Sequence, residues 1–260
     1  MQTTKGTFPT LQYCSDLHLE FWENRDFLAF TPLQPKGNIL LLAGDIVPFA
    51  IMDKYDYFFD SLSDNFDLVY WLPGNHEYYH ADVAMRSGVL HEKIRKNVFL
   101  VNNMAFEHDG VKLIFSTLWS KISLANEAYA RGSVNDFRLI KFNGHLFSPA
   151  NFNRLHTDSL TFIQEELGKE YTGKTVVISH HVPTFLHYPE KYKGDRLNEV
   201  FGVELFGLIE SSDIDHWIYG HHHKNVPDFL IGKTRLLTNQ VGYVRADEHQ
   251  LFSANKTIII

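Results

Sequence analysis

The sequence predicts an α/β protein with a substantial parallel component. Two observations carry this expectation. Short apolar runs recur along the chain, and helical apolar patterns lie between several of them. A third observation concerns the C-terminal part, where two runs separated by Gly232-Lys233 read as a β-hairpin.

Taken in order, the runs expected as buried strands are Thr10 to Cys14, Asn38 to Leu42, Leu68 to Leu72, Val111 to Ser116, Thr175 to Ser179 and His216 to Tyr219. The stretch Asp82 to Lys96 places Val83, Val89, Leu90 and Ile94 at helical spacing and is expected as a helix. A second helix is expected over Asn151 to Lys169, with Phe152, Leu155, Leu160, Phe162, Ile163 and Leu167, and a third over Asn198 to Ile209. The hairpin pairs Asp228 to Ile231 with Thr234 to Thr238, and Thr257 to Ile260 is read as a further strand. These last runs suggest a second, more antiparallel sheet packed on the first. No repeat, low-complexity tract or Pro/Gly-rich linker interrupts residues 1–260, so a single domain is expected.

Composition narrows the function. The chain is 44% hydrophobic and 21% charged, enough apolar material for a full core. A formal net charge of -7 disfavours extended nucleic-acid binding, because such a surface repels a phosphate backbone. The single cysteine, Cys14, cannot form an intramolecular disulfide and fits a reducing compartment. No apolar run approaches the ~20 residues that span a bilayer. The first six residues carry no apolar leader core, and a cytoplasmic location is expected.

Polar residues with ligand chemistry follow the strand runs. Thr10 to Cys14 runs into Asp16-x-His18, Asn38 to Leu42 into Gly44-Asp45, and Leu68 to Leu72 into Gly74-Asn75-His76-Glu77. Thr175 to Ser179 runs into His180-His181, and His216 to Tyr219 into Gly220-His221-His222-His223. Ligand crevices of open α/β sheets lie beyond the carboxyl ends of the strands, so five such loops can meet on one rim. Alternate residues at a strand end point the same way, which lets Asp16 and His18, or His221 and His223, reach one centre. Imidazole with carboxylate and no thiolate suits manganese, iron, zinc or a related divalent ion. Each piece alone has a plainer reading: a surface triplet, a turn, a capped helix start, a solvated histidine run. Their joint occurrence, in order and each after an apolar run, points to a metal site.

This set resembles the calcineurin-like metallophosphoesterase family, whose motifs run Asp-x-His, Gly-Asp, Gly-Asn-His-Glu/Asp, His and Gly-His-x-His. All five are present between Asp16 and His223. The resemblance implies a four-layer α/β/β/α sandwich of two packed mixed sheets and two divalent metal ions. It implies Asp16, His18 and His223 as ligands of one ion, Asn75, His180 and His221 as ligands of the other, and Asp45 as the bridge. His180 is preferred to His181 because it directly follows the strand; His222 is expected to point away. His76 is implied as the catalytic histidine. Thr117 to Ser120, Asn135 to Arg138 and Asn239 to Tyr243 resemble segments of an uncharacterised bacterial or phage branch of phosphohydrolases. Protein Ser/Thr phosphatases of the superfamily carry Arg-Gly shortly after Gly-Asp; here Ile46-Val47-Pro48-Phe49 follows, which argues against that class.

The expected chemistry is hydrolysis of a small phosphodiester or phosphomonoester by a hydroxide bridging two metals. A nuclease acting on short oligonucleotides and a non-catalytic scaffold are the competing readings. Arg138, Lys191, Lys193 and Arg196 are candidate substrate contacts, the last three on a loop that could form a lid. Tyr78 and Tyr79 are expected to pack under a helix. Cys14 is expected in the core, and His145, His156 and His249 outside the metal site.

Overall fold

A computed structural model describes residues 8–260, apart from the Ile259 side chain. Its strands are, in order, β1 (Thr10–Cys14), β2 (Ile39–Ala43), β3 (Leu68–Leu72), β4 (Leu90–Arg95), β5 (Val98–Asn102), β6 (Met104–His108) and β7 (Val111–Ser116). A small hairpin of β8 (Lys141–Phe142) and β9 (His145–Leu146) follows. Then come β10 (Lys174–Ser179), β11 (His216–Ile218), β12 (Phe229–Ile231), β13 (Thr234–Leu237) and β14 (Thr257–Ile259). The α-helices are α1 (Trp22–Phe30), α2 (Asp56–Asn65), α3 (Glu127–Ser133), α4 (Asp136–Leu139), α5 (Pro149–Leu167), α6 (Asn198–Phe201) and α7 (Phe206–Ser211).

Two six-stranded sheets form, ordered β14-β1-β2-β3-β5-β4 and β12-β13-β11-β10-β7-β6. Strand alternation makes the layers. Leu11, Tyr13, Ile39, Leu41 and Leu72 face Val111, Leu113, Phe115, Val176 and Ile178 between the sheets. Their neighbours Leu40, Leu42, Val69 and Trp71 face the other way, onto Phe59 and Leu62 of α2. On the opposite outer face Ile114, Val177 and Trp217 pack with Ile163 of α5 and Ile209 of α7. Both faces of the central strands are therefore buried, which is why they read as continuous apolar runs. The four-layer sandwich is present.

Three expectations need correction. Asp82 to Lys96 is not a helix: a 3-10 turn at Val83–Met85 is followed by β4, paired antiparallel with β5. Gly88 turns the chain at φ +73°, and Val89 is exposed, so the apparent helical spacing joins two separate elements. Asn198 to Ile209 is two short helices, not one. Gly202 is extended between them, because Val182 packs where its side chain would be and Val203 N–H bonds Val182 O at 2.9 Å. The second sheet is not the more antiparallel one. Each sheet has a parallel centre and antiparallel edges, and β14 joins the first sheet beside β1. The expected helix over Asn151 to Lys169 is present as α5, entered through Pro149 and capped by the Ser148 side chain on Asn151 N–H.

Candidate metal centre

Strands β1, β2 and β3 of one sheet and β10 and β11 of the other end on the same rim. There the backbone bends sharply: Asp16, His18, Asp45, His221 and His223 all hold φ between +48° and +77°. Left-handed backbone costs a non-glycine residue about 1–3 kcal/mol and persists where the surroundings over-determine it. Two glycines allow the loops to close in. A Cβ on Gly74 would lie 2.6 Å from His180 Nε2, and one on Gly220 2.6 Å from Asp16 Oδ2.

Two donor clusters result, sharing Asp45. In one, Asp16, His18, Asp45 and His223 bring their ligand atoms within 4.8 Å of one another. His18 Nε2 and His223 Nε2 stand 3.0 Å apart, and His223 Nε2 is 3.3 Å from Asp16 Oδ1. In the other, Asp45 Oδ2, His221 Nδ1 and Asn75 Oδ1 lie 3.4, 3.1 and 3.3 Å from His180 Nε2. The Asp45 carboxylate is oriented by the His76 N–H, which donates to its Oδ1 at 2.9 Å and leaves Oδ2 between the clusters.

Partners on the far side of three of the rings show what the centre lacks, while His221 Nε2 is buried with no partner among the described residues. His18 Nδ1 faces Glu20 Oε1 at 3.1 Å, His223 Nδ1 faces Glu248 Oε2 at 2.8 Å, and His180 Nδ1 faces Ala43 O at 2.9 Å. An acceptor on Nδ1 draws the ring proton there and turns the Nε2 lone pair inward. Lone pairs and carboxylate oxygens then face each other across each cluster, an arrangement that needs a positive species at its middle. A proton serves in part. Burial alone would lower the pKa of His223, but Asp16 and Glu248 outweigh it and raise the ring to about 10. His180 is likewise raised to about 9, with Asp45 overcoming burial. His18 and His221 are pushed down, chiefly by burial. The residues present thus fit two divalent cations, each replacing one such proton.

His76 sits beside this centre, its Nδ1 2.8 Å from Glu20 Oε1 and its Nε2 3.4 Å from the Tyr243 hydroxyl. Burial lowers its pKa, and the Asp45 and Glu20 carboxylates more than reverse that. Glu20 is pushed up by burial but held at about 2 by His18 and His76. Glu77 binds the loops together, accepting from the N–H groups of Asp45, Ile46 and Gly74 and from Trp71 Nε1, all between 2.7 and 2.9 Å.

The family model of the calcineurin-like phosphoesterases matches residues 12–225, from inside β1 to just past His223. The chain belongs to this family. Calcineurin-like phosphoesterases are metal-dependent hydrolases with a dinuclear divalent centre, and the two clusters sharing Asp45 supply donors for one. The chain is 31% identical over 259 residues to an uncharacterised protein of Acanthamoeba polyphaga mimivirus, covering 90% of this chain and 91% of that one. Its fold is similar to that of a phosphopantetheinyl hydrolase from Mycobacterium tuberculosis, with a TM-score of 0.64 at 16% identity and coverage of 98% and 97%. A dimetal phosphatase from Danio rerio superposes with a TM-score of 0.51 at 13% identity, covering 90% and 88%. These likenesses show the fold.

A cavity of about 370 Å³ opens over the centre of this calcineurin-like fold. Asp45, Asn75, His76, His221 and His223 form its floor, and Tyr79, Tyr188, Tyr192, Phe201 and Tyr243 supply rings to its walls. Arg138, Lys191, Lys193 and Arg196 are not among the residues that line it. Arg138 binds Gly132 O, Lys193 lies 3.6 Å from Glu190, and Arg196 donates to Asn126 at 2.8 Å. Lys191 lies 4.5 Å from the centre of the Tyr192 ring. The loop around them does contribute, through Tyr188, Tyr192 and Asp195.

The histidines sort by position. His181 turns its Nδ1 to Thr117 O at 3.2 Å and lies outside both clusters. His222 meets Gln240 through Nδ1 at 3.0 Å. Of the tyrosine pair, Tyr78 is buried with Trp119, Phe147 and Phe152 of α5, under a helix as expected, while Tyr79 lines the cavity and donates its hydroxyl to Asp136 at 2.9 Å. Sequence reasoning missed Glu20, Asp136 and Glu248. Glu20 could have been suspected, standing two residues past His18 on the same strand-end alternation. Asp136 lies within the Asn135 to Arg138 segment, and no local pattern marks it.

Proposed function

We propose that this chain, as one domain over residues 1–260, hydrolyses a small phosphodiester or phosphomonoester at a two-metal centre. The observation that carries the reading is the pair of donor clusters sharing Asp45, with inward-facing lone pairs that call for two cations. On this reading Asp16, His18 and His223 hold one ion, Asn75, His180 and His221 the other, and Asp45 both. Bound divalent ions supply Lewis acidity toward phosphoryl oxygens and bring the pKa of a water near neutrality.

The protein's own groups do the rest. Asp16 and Asp45 are the only carboxylates in the two clusters, so two divalent ions leave the centre positive and draw phosphate inside an acidic protein. His76, whose pKa Asp45 and Glu20 raise against burial, presents Nε2 on the cavity floor. From there it donates a hydrogen bond to a phosphoryl oxygen or a proton to the leaving oxygen. Glu20 holds the ring in place through Nδ1. Tyrosine and phenylalanine rings line the cavity walls.

A small ester suits this cavity better than an oligonucleotide. Among the described residues no lysine or arginine lines it, whereas Asp136, Asp195 and Glu248 do. Backbone phosphates beyond the reacting one would find no cation there. A scaffold role has no support, since every ligand position of the family pattern is filled.

The test is hydrolysis of bis(p-nitrophenyl) phosphate beside p-nitrophenyl phosphate by manganese-loaded protein, with Asp45→Ala as control. Cleavage by wild type and none by the variant is the expected result, and the preferred ester separates diesterase from monoesterase. An inert wild type with metal bound would sink the reading.

A further inference from the structure

Asp136 is a buried carboxylate that the reading above leaves without a task. It is 2% exposed, at the start of the four-residue helix α4, far in sequence from every metal ligand. Its Oδ1 accepts two hydrogen bonds, one from Asn75 Nδ2 at 2.9 Å and one from the Tyr79 hydroxyl at 2.9 Å. Its Oδ2 is buried with no partner among the described residues. Burying a carboxylate with one bare oxygen costs stability, and a core position with no task would not need one.

The two bonds have separate consequences. An asparagine side chain offers an oxygen on one side and an NH2 on the other, and only its neighbours decide which way it turns. Asp136 accepts from the Asn75 NH2, so Asn75 Oδ1 is turned toward His180 Nε2, 3.3 Å away. With the amide reversed, Asn75 would aim N–H groups at the cluster, where a cation could not accept them. The second bond anchors Tyr79, whose ring centre lies 4.1 Å from that of His76. One carboxylate thus ties down a donor of the second cluster and a wall of the His76 pocket.

We infer that Asp136 is a positioning residue that sets the Asn75 amide for the second metal and braces the Tyr79–His76 pair. The inference rests on the two-metal reading and adds to it a residue outside the family's ligand pattern. Partners of this kind change metal affinity roughly 10- to 100-fold when removed. The effect belongs to one cluster only, because Asp16, His18 and His223 have their own partners, Ser15, Glu20 and Glu248.

The test uses the full chain and Mn²⁺ alone, followed by titration calorimetry and by the electron paramagnetic resonance signal of a coupled manganese pair. Wild type is expected to bind two Mn²⁺. Asp136→Ala is expected to keep one site and to weaken the other roughly 10- to 100-fold, with loss of the pair signal at two equivalents. Asp136→Asn retains a neutral acceptor of the same shape and is expected to recover most of the loss, leaving one site about threefold weak. Unchanged affinities in Asp136→Ala, or equal weakening of both sites together with a lower melting temperature of the metal-free protein, would overturn the inference. If Asp136→Ala does not fold, Asp136→Asn decides: a one-site loss supports the inference, and no loss or an equal loss overturns it. Fewer than two Mn²⁺ in wild type would instead bring down the two-metal reading itself, and the inference with it.

Discussion

Glu20→Gln isolates one charge at the centre. The Glu20 side chain is 13% exposed, and its Oε1 accepts from both His18 Nδ1, at 3.1 Å, and His76 Nδ1, at 2.8 Å. Glutamine keeps an oxygen in the same place, removes the charge, and puts an NH2 where the buried, unpartnered Oε2 now stands. A hydrogen bond to a charged group is worth about 1.5–3 kcal/mol and a neutral one about 0.5–1.5, so each histidine loses about 1–1.5 kcal/mol. The two losses appear in different quantities. The His18 share weakens Mn²⁺ at one site by roughly 5- to 12-fold, and the His76 share lowers kcat at saturating metal by a similar factor. The assay pairs Mn²⁺ titration with kcat for bis(p-nitrophenyl) phosphate. Combining Glu20→Gln with His76→Ala should leave kcat near that of His76→Ala alone, because both act through one group. Full additivity in kcat, or a Glu20→Gln enzyme within twofold of wild type in both quantities, would refute the account.

Other consequences follow from single contacts. Asn75→Asp places a carboxylate where Asn75 Nδ2 now donates to Asp136 at 2.9 Å, and it removes positive charge from the centre; slower turnover at saturating Mn²⁺ is expected, and an equal or faster rate would count against the charge argument. His180 and His223 are raised to about 9 and 10, chiefly against burial by Asp45 and by Asp16. Loading the metal-free protein with Mn²⁺ at pH 7 should therefore release about two protons, measured as the buffer dependence of the calorimetric heat. Far from the site, Lys112 Nζ lies 3.2 Å from Glu166 Oε2, with both side chains largely buried. Lys112→Met should cost about 2 kcal/mol in urea unfolding at neutral pH. Burial raises the Glu166 pKa, but Lys169 and Lys112 bring it below 4.5 in the folded state. Its stabilising share is thus present above about pH 4.5 and lost as pH falls through the folded value, and Lys112→Met should reduce that acid-side loss.

Most of the architecture was legible in the sequence wherever a local pattern carried it. The central strands are buried on both faces, so β2 and β3 show as unbroken apolar runs and β1, β7 and β10 as mainly apolar ones, with Gln12 inside β1 and Lys112 inside β7. Helix α5 is marked by the apolar stripe from Phe152 to Leu167, although it begins at Pro149, two residues before the expected start. Elements with weaker local signals did not show. Strand β4 and the turn before it mimicked a helix, because Val83, Val89 and Leu90 fall at helical spacing across the Gly88 bend. Helix α1 is short and has no side-chain cap, and β6 is only half-buried.

The candidate site divides in the same way. By itself the sequence, through its motifs and their family resemblance, named the candidate donors: Asp16, His18, Asp45, Asn75, His180, His221 and His223 each follow a strand, and a strand end needs only a few residues to present them. Only the tertiary structure decided what stands behind those donors. Glu248 reaches His223 across 25 residues, Asp136 reaches Asn75 across 61, and Glu20, beside His18, reaches His76 across 56. The same holds for the cations. Lys191, Lys193, Arg196 and Arg138 were candidate substrate contacts in the sequence, and folding placed each beside another partner while rings took the cavity wall. A ligand atom's residue type is a local property, whereas the direction it faces and the charge beside it depend on chain segments that meet only when the two sheets pack.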